Sequence, residues 1–213
     1  MIKVDHIDIY NIEGALRGMR NPLESWDQSD SVFPNEQEII GKNDLALALK
    51  LIKAGSDHSK FLRQIFVSMD ITAPMSWWWD FDTYKVSTVK NSTSRMHKLG
   101  TRLLTIDDFS YDSEDGEVNI TPLRQYVLDD LNRRISEYQQ LKETDMKSAK
   151  SLWREIVFDM PQNYNFLSTW TGNYENLRNV YHARKNHKQR EFPDFCKVVE
   201  GLPYSELITV GRK

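Results

Sequence analysis

From Ile65 to Thr72 apolar and polar residues alternate one for one, with Ile65, Val67, Met69 and Ile71 on one side and Phe66, Ser68, Asp70 and Thr72 on the other. A repeat of two fits an extended chain with one face in a core, so this segment commits the fold to a half-buried sheet strand. Ala73–Pro74 ends it, because proline has no N–H to give to a ladder. Residues 2–9 read as a first strand whose apolar side changes over part-way, as a bulge allows.

Elsewhere the period is that of a helix. Ile12, Leu16 and Met19 recur along Ile12–Arg20, and Leu45, Leu49 and Ile52 along Asp44–Ala54, with Asn43 as the expected cap and Gly55 as the stop. A helical turn is expected around His58–Leu62. Thr121–Pro122 opens a long helix whose expected core stripe is Leu123, Val127, Leu131, Ile135, Tyr138 and Leu141. Residues 146–159 form another amphipathic helix stopped by Pro161, Tyr164–Thr171 reads as extended, Asn173 starts a helix to about Lys185, and Phe195–Glu200 is a last helix closed by Gly201. Few strands and several long helices in mixed order make the fold class α+β, a mixed sheet with long helices, in a single domain over residues 1–213.

With 213 residues, 39% of them apolar, the chain can bury a real core. Its net charge of −3 is spread over both signs, which argues against a nucleic-acid duplex as partner. One cysteine, Cys196, cannot make an internal disulfide; this fits a reducing compartment, the cytoplasm by default, and a buried packing role rather than a reactive thiol. No apolar run approaches the roughly 18 residues that cross a bilayer, and MIKVDHIDIY carries charges where a signal peptide needs an apolar core. The segment from Asn21 to Gly41 reads as a long loop, and loops of that length are commonly functional or mobile.

The five histidines form no HExxH pair, and CxxC, GxGxxG and GxxxxGK are absent, so no metal site and no nucleotide-triphosphate site of those kinds is expected. Trp77, Trp78 and Trp79 fall in an expected helix, where successive side chains point about 100° apart. At least one of them therefore faces something other than the core: a neighbouring element or subunit, or a flat ring stacked on it. The segment Thr83–Met96 is rich in hydroxyls, with Lys85, Lys90 and Arg95 along it. It reads either as a solvated loop or as an anion site, in which an arginine fork grips phosphate.

The order Lys53-x-Gly55, Phe61, the strand closed by Ala73–Pro74, the tryptophan helix and a polar loop ending Ser94-Arg95-x-His97-Lys98-Leu99 resembles the flavin-dependent thymidylate synthases, also called thymidylate synthase complementing proteins. Their signature is RHRxxSxNExSxR, and this chain reads TYKVSTVKNSTSR at 83–95. Lys85 stands for the second arginine, Thr88 and Thr93 for the serines, and Arg95 for the last arginine; Thr83 and Tyr84 replace the first arginine and the histidine, and Lys90 and Asn91 the Asn-Glu pair. Pro161, Trp170-Thr171-x-Asn173, Leu177, Asn179, Arg184, His187, Gln189 and Glu191 follow the family's C-terminal pattern, and Ala15-x-Arg17-x-x-Arg20 is similar to its first helix. The family's HxxPFEH element remains only as His58-Ser59-Lys60-Phe61-Leu62-Arg63.

The resemblance implies a homotetramer with shared sites that makes dTMP from the pyrimidine nucleotide dUMP. FAD would carry hydride from NADPH to a methylene delivered by methylenetetrahydrofolate. It implies that Arg95 and Arg184 bind nucleotide and that Asn173 and Asn179 contact the cofactor; on that footing Thr93 and Ser94 are expected to donate to phosphate or sugar oxygens, Lys85 and Thr88 to line the junction of nucleotide and flavin, and Tyr84 and His187 to contact the cofactor. Flavin chemistry resides in the ring, so the protein needs a slot, phosphate partners and a positioned substrate rather than a strong base. The erosion falls on the flavin contacts while the phosphate arginines are kept, which also fits a catalytically inactive nucleotide-binding protein that sequesters or senses a nucleotide. Bland readings stand beside these: Asn173 as a helix cap, His187 as a surface histidine, and Arg17 and Arg20 as solvated or paired.

Overall fold

The computed structural model describes residues 2–34, 39–111 and 116–211, without the side chain of Arg95. Strand β2, Phe66–Pro74, pairs with β4, Asn165–Asn173, in opposite directions. Side chains and backbone fix the register together. Tyr174 N–H donates to the Ile65 carbonyl at 3.0 Å and Met75 N–H to the Tyr164 carbonyl at 3.0 Å. Thr171 Oγ1 donates to Ser68 Oγ at 3.1 Å and Thr169 Oγ1 to Asp70 Oδ1 at 2.5 Å. With β1, Lys3–Tyr10, and β3, Val89–Ser92, they form a four-stranded antiparallel sheet in the order β1-β2-β4-β3. Val67, Met69, Ile71 and Ala73 are fully buried, as their alternation requires. In β1 the apolar side changes where His6 adopts a left-handed φ of 48°.

The chain divides into two compact units, one of Met1–Lys3, Ile71–Asp80 and Asn91–Ser168, the other of Val4–Asp70, Phe81–Lys90 and Thr169–Lys213. The first is built on a helical hairpin, α5 (Pro122–Thr144) and α6 (Met146–Phe158). Thr121 caps α5 through the Arg124 N–H at 3.3 Å, and Asp145 caps α6 by accepting from Lys147 and Ser148. Leu128, Leu131, Ile135 and Ile156 meet Met75, Leu99, Phe109 and Met160 in one core. The expected stripe is wrong at its start, where Leu123 is 71% exposed. The first turn is held instead by Arg124, which lies over the Tyr111 ring at 5.0 Å and donates to the Asn119 carbonyl. In α3, Met75–Phe81, Trp77 and Trp78 are buried while Trp79 is 54% exposed, the outcome that helical geometry demands of three consecutive rings. Trp78 stacks on Phe166 at 5.6 Å and donates Nε1–H to its carbonyl.

The second unit holds α1 (Ile12–Arg20), α2 (Lys42–Ala54), α7 (Tyr174–Arg184), α8 (Glu191–Glu200) and α9 (Glu206–Thr209). Phe81 sits edge-on to Trp170 at 5.4 Å and to Phe195 at 5.3 Å. Cys196 is buried, and burial, reinforced by the Glu200 charge against Lys185, pushes its thiol up to about 12. Neither α9 nor β3 figures in the sequence expectations, and α8 starts a turn earlier than expected because Pro193 is tolerated in its first turn.

Arg20 explains most of the described part of the 21–41 segment. It is 4% exposed, and its Nε donates to Asp44 Oδ1 at 2.6 Å while Nη1 and Nη2 donate to the Ser25 and Gln28 carbonyls. Asp44 also accepts from Ser29 Oγ at 2.6 Å and Ser31 Oγ at 2.5 Å. The segment adds two short 3-10 turns, Asn21–Leu23 and Trp26–Gln28, and a bridge from Val32 to Ile39. Asn43 is not the cap of α2: Gly41 takes that position, and the Asp30 carboxylate accepts from the Asn43 and Asp44 N–H groups at 2.9 and 3.1 Å. Burial pushes the Asp44 carboxyl up, but the bonds from Ser29, Ser31 and Arg20 and the Arg20 charge overcome it and hold it below the usual carboxylate range.

Asp44→Asn leaves Arg20 buried without its counter-charge and is expected to cost about 3–5 kcal/mol in urea unfolding. Because the folded carboxyl titrates below its unfolded value of about 3.9, its contribution is complete above that pH and is lost as pH falls through the lowered value. The variant should therefore show a flatter loss of stability on the acid side, measured by urea midpoints from pH 6 down to about pH 3.

Candidate functional site

Most of the candidate residues lie in the second unit, on α7 and on the loop Asp82–Thr88 that follows α3. Asn173, 2% exposed, is the N-cap of α7: its side chain accepts from the Asn176 N–H, and Asn176 Oδ1 accepts from the Asn173 N–H, both at 3.0 Å. That reciprocal pair leaves the Asn176 amide to donate to the Val86 carbonyl at 2.9 Å, which ties the loop to the start of the helix. At the far end of α7, Arg184 Nε donates to Tyr84 Oη at 3.0 Å. The loop is thus fastened to α7 at two places about 12 Å apart along its axis, at 1.5 Å per residue. It also turns through a left-handed Ser87, φ 59°, and Lys90 pairs with Asp82 at 2.5 Å.

Arg184 is the centre of an aromatic cluster. Its guanidinium lies 4.9 Å from the Phe192 ring centroid and 5.8 Å from that of Tyr84, and Nη1 stands 2.8 Å from His187 Nε2. The His187 ring is edge-on to Phe192 at 5.0 Å. Its Nδ1 meets the Gln189 N–H at 3.2 Å, so donors face both ring nitrogens. A neutral imidazole accepts at only one nitrogen. Whichever donor it satisfies, the ring's own N–H turns toward the other.

Of the predicted residues, Tyr84, Arg184 and His187 are brought together in this unit; Lys85 is exposed and Thr88 half-buried on the same loop, and Asn179 is half-buried on α7. Thr93, Ser94 and Arg95 belong to the other unit. Thr93 donates both its N–H and its Oγ1–H to the Leu167 carbonyl, and Ser94 caps the short helix α4, Arg95–Lys98, through the His97 N–H. The backbone of Arg95 opens α4, and its side chain lies outside the described residues. Thr93 also borders a cavity of about 350 Å3 with Thr72, Lys98, Arg102, Asp107 and Asn165. There Arg102 grips Asp108 at 2.5 and 2.7 Å; burial pushes that carboxyl up, and the Arg102 and Thr105 bonds bring it below its ordinary range.

The remnant of the HxxPFEH element is the turn at His58 and the 3-10 helix Lys60–Gln64. Phe61 and Leu62 are core residues, whereas His58, Lys60 and Gln64 line a cavity of about 610 Å3 walled by Leu47, Leu51 and Phe61. Phe192 and Asn176 escaped the sequence reading. Asn176 had a signal, since Asn-x-x-Asn before a helical pattern is a capping pair, but Phe192 had none.

The four-stranded antiparallel sheet with β2 and β4 at its centre, flanked by the helices of the two units, resembles solved structures of flavin-dependent thymidylate synthases in fold. The chain is similar to thymidylate synthase X from Helicobacter pylori solved with FAD and dUMP, at TM-score 0.71 and 15% identity, over 98% of this chain and 97% of that one. A second structure, flavin-dependent thymidylate synthase ThyX from Helicobacter pylori complexed with FAD and dUMP, gives TM-score 0.69 and 16% identity over 100% of this chain and 99% of that one. At such identities the likeness shows the fold. No family model matches the chain, and no curated protein matches it.

The residues around the 610 Å3 cavity fit a flavin in kind: apolar walls from Met19, Leu47, Leu51 and Phe61 for a ring, and Arg20, His58, Lys60 and Gln64 as donors, with Asp57 the one carboxylate among them. Among the described residues no group of three or more His, Cys, Asp or Glu stands together as a metal site, and no helix is long and apolar enough to cross a membrane.

Removing the Asn176 amide detaches the loop from the N-terminal end of α7 and breaks half of the capping pair. Asn176→Ala should lower stability by about 1–2 kcal/mol in urea unfolding, and amide exchange across residues 82–88 should speed up relative to the core strands.

Proposed function

We propose that the protein binds a pyrimidine deoxynucleotide such as dUMP, with FAD, and modifies the base reductively at C5 in the manner of a flavin-dependent thymidylate synthase. The observation that carries this reading is Arg184, whose guanidinium at the end of α7 meets Tyr84 Oη at 3.0 Å and His187 Nε2 at 2.8 Å. A phosphate carries the full negative charge that a phenol and an imidazole lack, and the planar guanidinium fork can grip two of its oxygens at once.

In this reading each residue binds or orients. Arg184 and Arg95 neutralise the nucleotide phosphate, Lys85 adds a cation from the exposed loop, and Thr88 offers a hydroxyl; Thr93 and Ser94 reach sugar or phosphate oxygens. Tyr84 presents a ring face and Oη to the cofactor, with Asn179 and His187 as further contacts; Asn173 acts as the cap that sets the axis of α7. His58 and Lys60 would hold the flavin edge and diphosphate beside the 610 Å3 cavity. When bound, flavin supplies the hydride relay from NADPH, and methylenetetrahydrofolate the carbon. The site would be shared among the subunits of a homotetramer in the cytoplasm.

A second reading is favoured by the HxxPFEH remnant, from which the proline, the glutamate and the final histidine are gone. In that reading the protein holds the nucleotide without turnover, sequestering or sensing it. Thermal melts separate the two, since a ligand stabilises only the state that binds it. For the enzyme, FAD and dUMP each raise the melting temperature and the purified protein carries flavin absorbance. For the binder, dUMP alone does so; a melt unmoved by either refutes both. By titration calorimetry Arg184→Gln should weaken dUMP binding by about 1.5–3 kcal/mol, with Lys53→Gln, on α2, as the unaffected control.

A further inference from the structure

The hairpin of the first unit carries a cavity of about 640 Å3 lined by Met96 of α4, Tyr138 of α5 and Met146, Lys150, Trp153, Arg154, Val157 and Phe158 of α6. Its volume lies within the range of small-molecule sites, roughly 300–1,000 Å3. The core of this unit takes a different face of α6, that of Ala149 and Ile156, both fully buried. The cavity face instead leaves Met96, Met146 and Phe158 at 65%, 52% and 70% exposed, so apolar surface there has no cover among the described residues.

Charge is arranged on this face with one sign. Met146, Lys150, Arg154 and Phe158 follow one another at intervals of four, a single stripe down the helix, with Trp153 and Val157 beside it. No carboxylate lines the cavity. Among the described residues neither Lys150 nor Arg154 is in an ion pair; Arg154 lies over the Phe158 ring at 5.1 Å. Their aliphatic stems extend the apolar wall while the charged ends stay at the lip. On α5, Lys142 adds a third cation 5.7 Å from the Tyr138 ring centroid. Such a cavity matches a molecule with one apolar chain and one anionic end: the chain against Trp153, Val157 and the two methionines, whose flexible thioethers adapt to shape, and the head between Lys150 and Arg154.

We propose that this cavity is a binding site for a soluble amphipathic carboxylate of the single-alkyl-chain type. The site is separate from the residues assigned to nucleotide and flavin.

Titration of the full-length protein with dodecanoate below its micellar concentration, followed by tryptophan emission and calorimetry, tests this. One saturable site is expected, with dodecanoate bound about tenfold or more tightly than dodecyltrimethylammonium of the same chain length. The double substitution Lys150→Glu with Arg154→Glu changes only exposed side chains and should reverse that preference, its fold being checked by circular dichroism. Trp153→Phe should keep the affinity and remove most of the emission change. Equal affinity for both surfactants, or a preference untouched by the double substitution, overturns the proposal. So does a change in oligomeric state on Phe158→Ser with no saturable dodecanoate binding in the parent protein, because the groove is then covered by a second copy of the chain.

Discussion

The pairing of β2 with β4 is the constraint on which the rest depends. A strand slipped by one residue would turn Val67, Met69 and Ile71 from the core to solvent, so the alternation allows one register. The ladder runs on past the strands at both ends, where Met75 N–H meets the Tyr164 carbonyl and Tyr174 N–H meets that of Ile65. Each of those bonds sits at the first residue of a helix. Each bond therefore fixes where its own helix starts, α3 in the first unit and α7 in the second. Asn173 closes this arrangement as the last residue of β4 and the cap of α7. The phase of α7, and with it the direction in which Arg184 leaves the helix eleven residues later, is inherited from the strand.

Arg20 does for α2 and its approach what Asn173 does for α7. An unpaired guanidinium at 4% exposure would be costly; Asp44 pairs it, and the Ser25 and Gln28 carbonyls and the Ser29 and Ser31 hydroxyls are gathered around the pair. The described part of the 21–41 segment is thereby organised by a buried ion pair and by Asp30 at the start of α2. Its exposed Leu23 and Trp26 remain at the surface, where Trp26 donates to Asn21.

Where a feature depends on neighbours in sequence, it could be read directly. The alternation of β2, the caps Thr121 and Asn173, and an outward ring among the three tryptophans all follow from local periodicity and were legible, though not that the ring would be Trp79. Partners distant along the chain were not. That Arg20 would meet Asp44, that Arg124 would turn Leu123 outward, and that Asp30 would displace Asn43 as the donor-satisfying group depend on how loops return. The polar stretch 83–96 hid β3 because an edge strand buries little and carries no alternating apolar signal. In the candidate site, family resemblance located Tyr84, Arg184 and His187, but their mutual contacts and the contribution of Phe192 come from packing alone.

Cys196 has a use that its chemistry makes plain. A buried thiol pushed up to about 12 is almost wholly protonated near neutrality, and only the thiolate reacts with alkylating reagents. It becomes reactive when the surrounding helices part and its acidity returns to that of a solvated thiol. The rate at which the protein's single sulfhydryl is trapped therefore reads out how often that part of the chain opens, an internal clock that needs no engineered probe.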